Sequence, residues 1–170
     1  MSQLTLPLFV ADSCNAIAAS NREFVSMGPR QQIRPTEGGC YCGEVRYRID
    51  ARPLTIGQCF CRACQHVSGG AQHVFLLIPP GGFEWTRGTP RSFTRKDLAN
   101  AVTREFCAMC GTQIVTRRPG LDAAIVRIGT LDDPGRFGDI AMSIFTSERQ
   151  CFHRVPPDIP AFPRLPERIP

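Results

Sequence analysis

The chain has 170 residues, a formal net charge of +5 and 42% hydrophobic residues, enough for one domain with a core that needs no disulfides. No apolar run approaches the ~20 residues that cross a bilayer, and Met1 to Asn21 lacks both a basic start and an unbroken apolar stretch, so the expectation is a cytoplasmic protein without membrane contact. The basic residues are scattered, with no run longer than Arg95-Lys96 or Arg117-Arg118, which describes a mixed solvated surface and argues against a nucleic-acid partner.

In chain order, residues 1–37 show neither clean periodicity nor turn-bounded strands, and read as an N-terminal extension closed by Gly38-Gly39. Val45, Tyr47 and Ile49 then alternate with Glu44, Arg46, Arg48 and Asp50, the period-two pattern of a half-buried strand. The one helical turn expected runs from Arg62 to about Val67, ended by Ser68-Gly69-Gly70. Further strands are predicted over His73 to Ile78, Gly82 to Thr86, Pro90 to Arg95, Ala101 to Phe106, Thr112 to Arg117, Ala124 to Ile128 and Asp139 to Phe145. Pro79-Pro80-Gly81-Gly82 and Asp132-Asp133-Pro134-Gly135 carry turn chemistry that no central strand tolerates. The prolines from Pro156 onward favour an extended covering segment pinned by Phe162 and Leu165, with residues 164–170 as a tail. Phe75, Trp85 and Phe93 read as core. The fold class is therefore mostly β, with small antiparallel sheets and little helix.

Three clusters hold seven of the nine cysteines: Cys40-Tyr41-Cys42, Cys59-Phe60-Cys61-Arg62-Ala63-Cys64 and Cys107-Ala108-Met109-Cys110. Thiols one residue apart rarely meet disulfide geometry with each other, whereas a tight turn lets them grip one metal ion. Structural zinc takes four protein ligands and catalytic zinc usually three, and seven thiolates suit one site of each kind, two Zn²⁺ per chain. Loaded in this way, the protein would carry a charge of about +2.

Joining Cys40 and Cys42 to Cys107 and Cys110 closes a long loop, where a cross-link constrains the unfolded chain most, and makes these four the structural set. The local alternative joins Cys40 and Cys42 to two members of the middle cluster. Under the first partition Cys59, Cys61 and Cys64 form a second site with a vacant position, suited to an incoming thiol. The competing reading is a site completed by His66, a core histidine or Cys151. Arg62 would offset thiolate charge or meet an anionic substrate, and Ser68 and Gly69 would allow close approach of a substrate backbone or carboxylate; a surface arginine and a helix-ending turn explain the same residues. Cys14 and Cys151 are left outside the metal sites, and His73 and His153 carry no assigned role.

These residues, in order, resemble the glutathione-dependent formaldehyde-activating family, related to the centromere-protein-V-like domains. The matching stretches are Gly38 to Tyr47, Cys59 to Cys64 with Ser68-Gly69, Phe106 to Thr112, Gly129 to Pro134 and Ile144 to Arg149, within a zinc domain over residues 38–163. The resemblance implies a β-tent of facing small sheets, a structural zinc on Cys40, Cys42, Cys107 and Cys110, and a catalytic zinc on Cys59, Cys61 and Cys64, with no catalytic side chain beyond the metal ligands. It also implies a carbon–sulfur lyase that joins glutathione, or a similar thiol, with formaldehyde or another small aldehyde. Gln65-His66, Ser143 and Cys151-Phe152 depart from the family's frequent residues around the expected pocket, where His66 with Arg62, Ser68 and Gly69 is the expected substrate-binding set. Two rivals are a non-enzymatic zinc-stapled module that binds a protein or nucleic acid, and a metal or redox sensor.

Overall fold

The structure, a computed structural model, describes residues 34–167. Most of the expected extension, Cys14 and the last three residues of the tail lie outside the described residues. Ten strands and one helix follow in order: β1 (Thr36–Gly39), β2 (Arg46–Ile49), β3 (Thr55–Cys59), α1 (Arg62–Ser68), β4 (His73–Ile78), β5 (Phe83–Arg87), β6 (Arg91–Thr94), β7 (Thr103–Phe106), β8 (Gln113–Arg118), β9 (Leu121–Arg127) and β10 (Met142–Ile144).

The chain is mostly β, as its patterning requires, and arranged as two sheets. One has the order β1-β2-β5 and is antiparallel throughout. The other has the order β10-β3-β4-β9-β8-β7-β6, antiparallel except where β10 lies parallel to β3. The Pro79–Gly82 turn, closed by a 3.1 Å hydrogen bond from Gly82 N to Pro79 O, carries the chain from β4 in the larger sheet to β5 in the smaller.

Two strands went unforeseen, for a common reason. In β3 all five residues are buried, including Gln58, so its sequence Thr-Ile-Gly-Gln-Cys lacks the apolar alternation of a strand with one wet face. Gly57 interrupts it because a Cβ there would come within 2.6 Å of the Phe75 ring. In β1, Gly38 sits where a Cβ would come within 2.4 Å of the Thr130 carbonyl, a close approach that removes the side-chain signal altogether. The first strand thus begins at Thr36, inside the stretch read as extension.

Each face of the larger sheet supports its own cluster. On one side Leu76, Ile78, Val115, Ala124 and Val126 pack with Val45, Tyr47 and Ile49 of the smaller sheet. On the other, Cys59, Phe75, Leu77, Ala123, Met142 and Ile144 pack with Cys61, Cys64, Phe145 and Phe162. Phe162 pins the proline-rich segment as expected, with Phe162 N donating to Ser143 O at 2.8 Å. Leu165 does not, and is 42% exposed; Phe93, expected in the core, is 56% exposed because β6 is an edge strand with every residue exposed.

Candidate functional site

Two tight turns build the four-cysteine cluster. Cys40 N donates to Val45 O and Gly43 N to Cys40 O, each at 3.0 Å, and Gly43 supplies a φ of 77°. The second turn repeats the device: Cys107 N donates to Thr112 O and Gly111 N to Cys107 O, each at 2.9 Å, with Gly111 at φ 74°. Only glycine adopts that left-handed backbone without strain. Tyr41 N donates to Thr112 Oγ1 at 3.2 Å and ties one turn to the other. The Sγ atoms of Cys40, Cys42, Cys107 and Cys110 lie within 4.8 Å of one another. Cys40 and Cys107 are buried, while Cys42 and Cys110 face solvent. The Thr112 hydroxyl beside Cys110, 3.2 Å away, pulls that thiol down to about 5.

The second cluster lies on the opposite face of the larger sheet. Cys59 ends β3 and pairs with His73 on β4 and Ile144 on β10. Cys61 is the N-cap of α1, its Sγ accepting from Cys64 N at 3.4 Å, and Cys64 sits in the first turn. The three Sγ atoms lie within 4.8 Å of one another. Hydrogen bonds from Cys59, and next from Cys64, pull the Cys61 thiol down, against the opposing effect of burial.

The donor sets fit zinc. All seven are soft sulfurs, and separations of 3.5 Å for Cys40–Cys42 and 3.7 Å for Cys42–Cys107 match the ~3.8 Å edge of a tetrahedron with ~2.3 Å Zn–S bonds. The same 3.5 Å is far beyond a ~2.05 Å S–S bond. The grouping joins Cys40 and Cys42 to Cys107 and Cys110, and the local alternative with the middle cluster is not what the chain adopts.

The other residues singled out from the sequence have varied places. Arg62 is exposed; its backbone N–H donates to Glu148 Oε2 at 2.7 Å and its guanidinium to Gln65 Oε1 along the same helix. His66 is exposed on α1. Ser68 Oγ donates to the carbonyl of Cys64 at 3.0 Å and also to that of Ala71, and Gly69 ends the helix at φ 72°. Cys151 is exposed and belongs to neither cluster.

Gln65 is 2% exposed and holds the site together. Its Nε2 donates to the carbonyls of Phe60 and Glu148, which locks the cysteine-bearing turn and helix onto the turn at Thr146–Glu148. Gln65→Leu would take the side-chain donor from the buried Phe60 carbonyl and leave the Glu148 carbonyl to Gln150 Nε2, 3.2 Å away, and should lower stability by about 1–3 kcal/mol in urea unfolding. An unchanged midpoint would show that the amide is not the lock.

Three residues at this site escaped the sequence reading, and a fourth, His73, was left there without a role. His73 is 4% exposed and its Nδ1 lies 3.7 Å from Cys64 Sγ, while Nε2 is buried without a partner. Burial pushes its pKa down to about 3 and keeps the ring neutral. Phe145 is, among the described residues, the non-glycine residue with positive φ, at 56°, and its ring packs in the cluster that contains Cys61 and Cys64. Such strain in a bulky side chain is a recognised mark of functional sites. Arg104 and Arg127 lie on the same sheet face, and Arg127 Nε is buried without a partner. Their only sequence signal, a charge at a position that alternation assigns to the interior, needs the strand register to be visible.

Residues 35–148 match the family described as glutathione-dependent formaldehyde-activating enzyme. A crystal structure of a Rhodobacter sphaeroides protein is similar with a TM-score of 0.48 and 18% identity, over 61% of this chain and 96% of that one.

Proposed function

The chain belongs to the glutathione-dependent formaldehyde-activating enzyme family, and from that membership we propose a zinc-dependent carbon–sulfur lyase that joins a glutathione-like thiol with a small aldehyde such as formaldehyde. The observation that carries the proposal is the three-thiol cluster of Cys59, Cys61 and Cys64, whose donor set is one short of a tetrahedron. In this reading these three hold the catalytic metal, and Cys40, Cys42, Cys107 and Cys110 hold a structural one. Zinc bound at the three-thiol site would favour deprotonation of a thiol entering the vacant position, so that sulfur is nucleophilic at neutral pH.

The reaction needs little from other side chains. The thiol loses its proton, sulfur attacks the aldehyde carbon, the carbonyl π electrons move to oxygen, and that oxygen takes up one proton. The product is the S-hydroxyalkyl thioether, with no redox change. Neutral His73 keeps a further positive charge away from the site. Phe145 and Phe162 pack beside Cys61 and Cys64 and limit water there. Holding sulfur and carbonyl together supplies the orientation that a spontaneous encounter lacks.

Zinc-loaded protein should form the adduct of glutathione and formaldehyde faster than the spontaneous reaction, followed by proton NMR exchange. A rate equal to background at substrate saturation would remove this reaction.

A further inference from the structure

We propose that Arg127 and Arg104 form an anion subsite beside the three-cysteine centre and hold a carboxylate of the incoming thiol. The inference rests on the proposed thiol-binding role of that centre and adds two recognition residues.

Strand register makes the case. Residues paired across antiparallel strands project to the same face of a sheet, as do alternate residues along one strand. Cys59 pairs with His73, two residues before Phe75, and Phe75 pairs with Arg127. Leu77, two further on, pairs with Ile125, which pairs with Thr116, which pairs with Arg104. Arg127 and Arg104 therefore project from the face that bears Cys59, in adjoining rows. The apolar members of those rows, Phe75, Leu77 and Ile125, belong to the cluster that also contains Cys61 and Cys64. Two strands and one row separate Cys59 from Arg127, on the order of 12 Å between backbones, which an arginine side chain and a short thiol span together.

Neither guanidinium is engaged as a buried cation normally is. Among the described residues neither pairs with a carboxylate: the ion pairs there use Arg46, Arg48, Arg95 and Arg117. Arg127 has one long hydrogen bond, 3.4 Å from its NH2 to Gln113 Oε1, and its Nε is buried without a partner. Burial lowers the pKa of Arg127, and the neighbouring Arg104 charge adds to that shift. A half-buried cation lacking an anion is costly, and a planar fork with unused donors matches a carboxylate. Arg62, the cation nearest in sequence, is turned along α1 to Gln65 instead.

The test compares two thiols that differ in charge, 3-mercaptopropionate and uncharged 2-mercaptoethanol, titrated into zinc-loaded full-length protein by calorimetry. The wild type should bind the carboxylate thiol about tenfold or more tightly, the worth of a charge-assisted hydrogen bond. In Arg127→Met and Arg104→Met that preference should shrink to about twofold, with 2-mercaptoethanol unchanged. Equal affinity of the wild type for the two thiols overturns the subsite and leaves thiol binding standing, and needs no variant. Equal loss of both thiols in the variants overturns it too, because the arginines would then merely balance the cysteine charges. Failure of both thiols to bind the wild type defeats the subsite together with the function on which it rests.

Discussion

Cys61→Ser should lower bound zinc from two equivalents per chain to one, bring adduct formation down to the spontaneous rate, and leave cooperative unfolding intact. The separation of effects follows from where Cys61 sits. It caps α1, with its side chain accepting the Cys64 N–H at 3.4 Å, and serine is among the best residues for that task. The helix should therefore survive the exchange. Zinc binding should not, because a hydroxyl remains protonated at neutral pH and is a poor replacement for a soft thiolate with only two other sulfurs present. Metal analysis and a thermal melt on the same sample check both halves. Retention of two equivalents would mean that Cys61 is not a ligand, and a collapsed melt would mean that the three-thiol centre supports the fold.

The opposite pattern is expected for Cys107→Ser. Cys107 is fully buried just after β7, in the cluster with Cys40, Val45 and Tyr47, and its sulfur lies 3.7 Å from Cys42, 65 residues away in sequence. A metal that bridges those turns closes a loop whose entropy alone corresponds to about 4 kcal/mol, by the relation used for a disulfide of the same span. That is a large share of the roughly 5–15 kcal/mol by which domains are stable. The substitution should shift the urea midpoint strongly downward, and prolonged chelation of the wild type should reproduce the shift. A variant as stable as the wild type, with its zinc lost, would show that the four-thiol cluster is not a staple.

Much of the architecture could be read before any coordinates, wherever one face of an element is wet. Alternation along Glu44 to Asp50 marked β2, where Tyr47 and Ile49 are buried between half-exposed arginines. Ser68-Gly69 ended α1 where a glycine was required. Elements buried on both sides kept no such record: β3 is a strand only because β4 and β10 flank it. Conversely, Phe93 looked like core because hydrophobicity reports affinity for an interior, and says nothing about whether β6 ends at an open edge.

Spacing along the chain was enough to sort seven cysteines into clusters of two, three and two, since a turn of one or two residues between thiols is a local geometry that travels with its own sequence. Which distant turns share a centre, and which charged side chains overlook the open one, were settled by strand order and register. Arg104 and Arg127 come from strands far from Cys59 in sequence, and a shift of one residue in their pairing would turn both to the other face. That outcome depends on long-range pairing energies summed over the sheet, to which no single stretch of residues gives access.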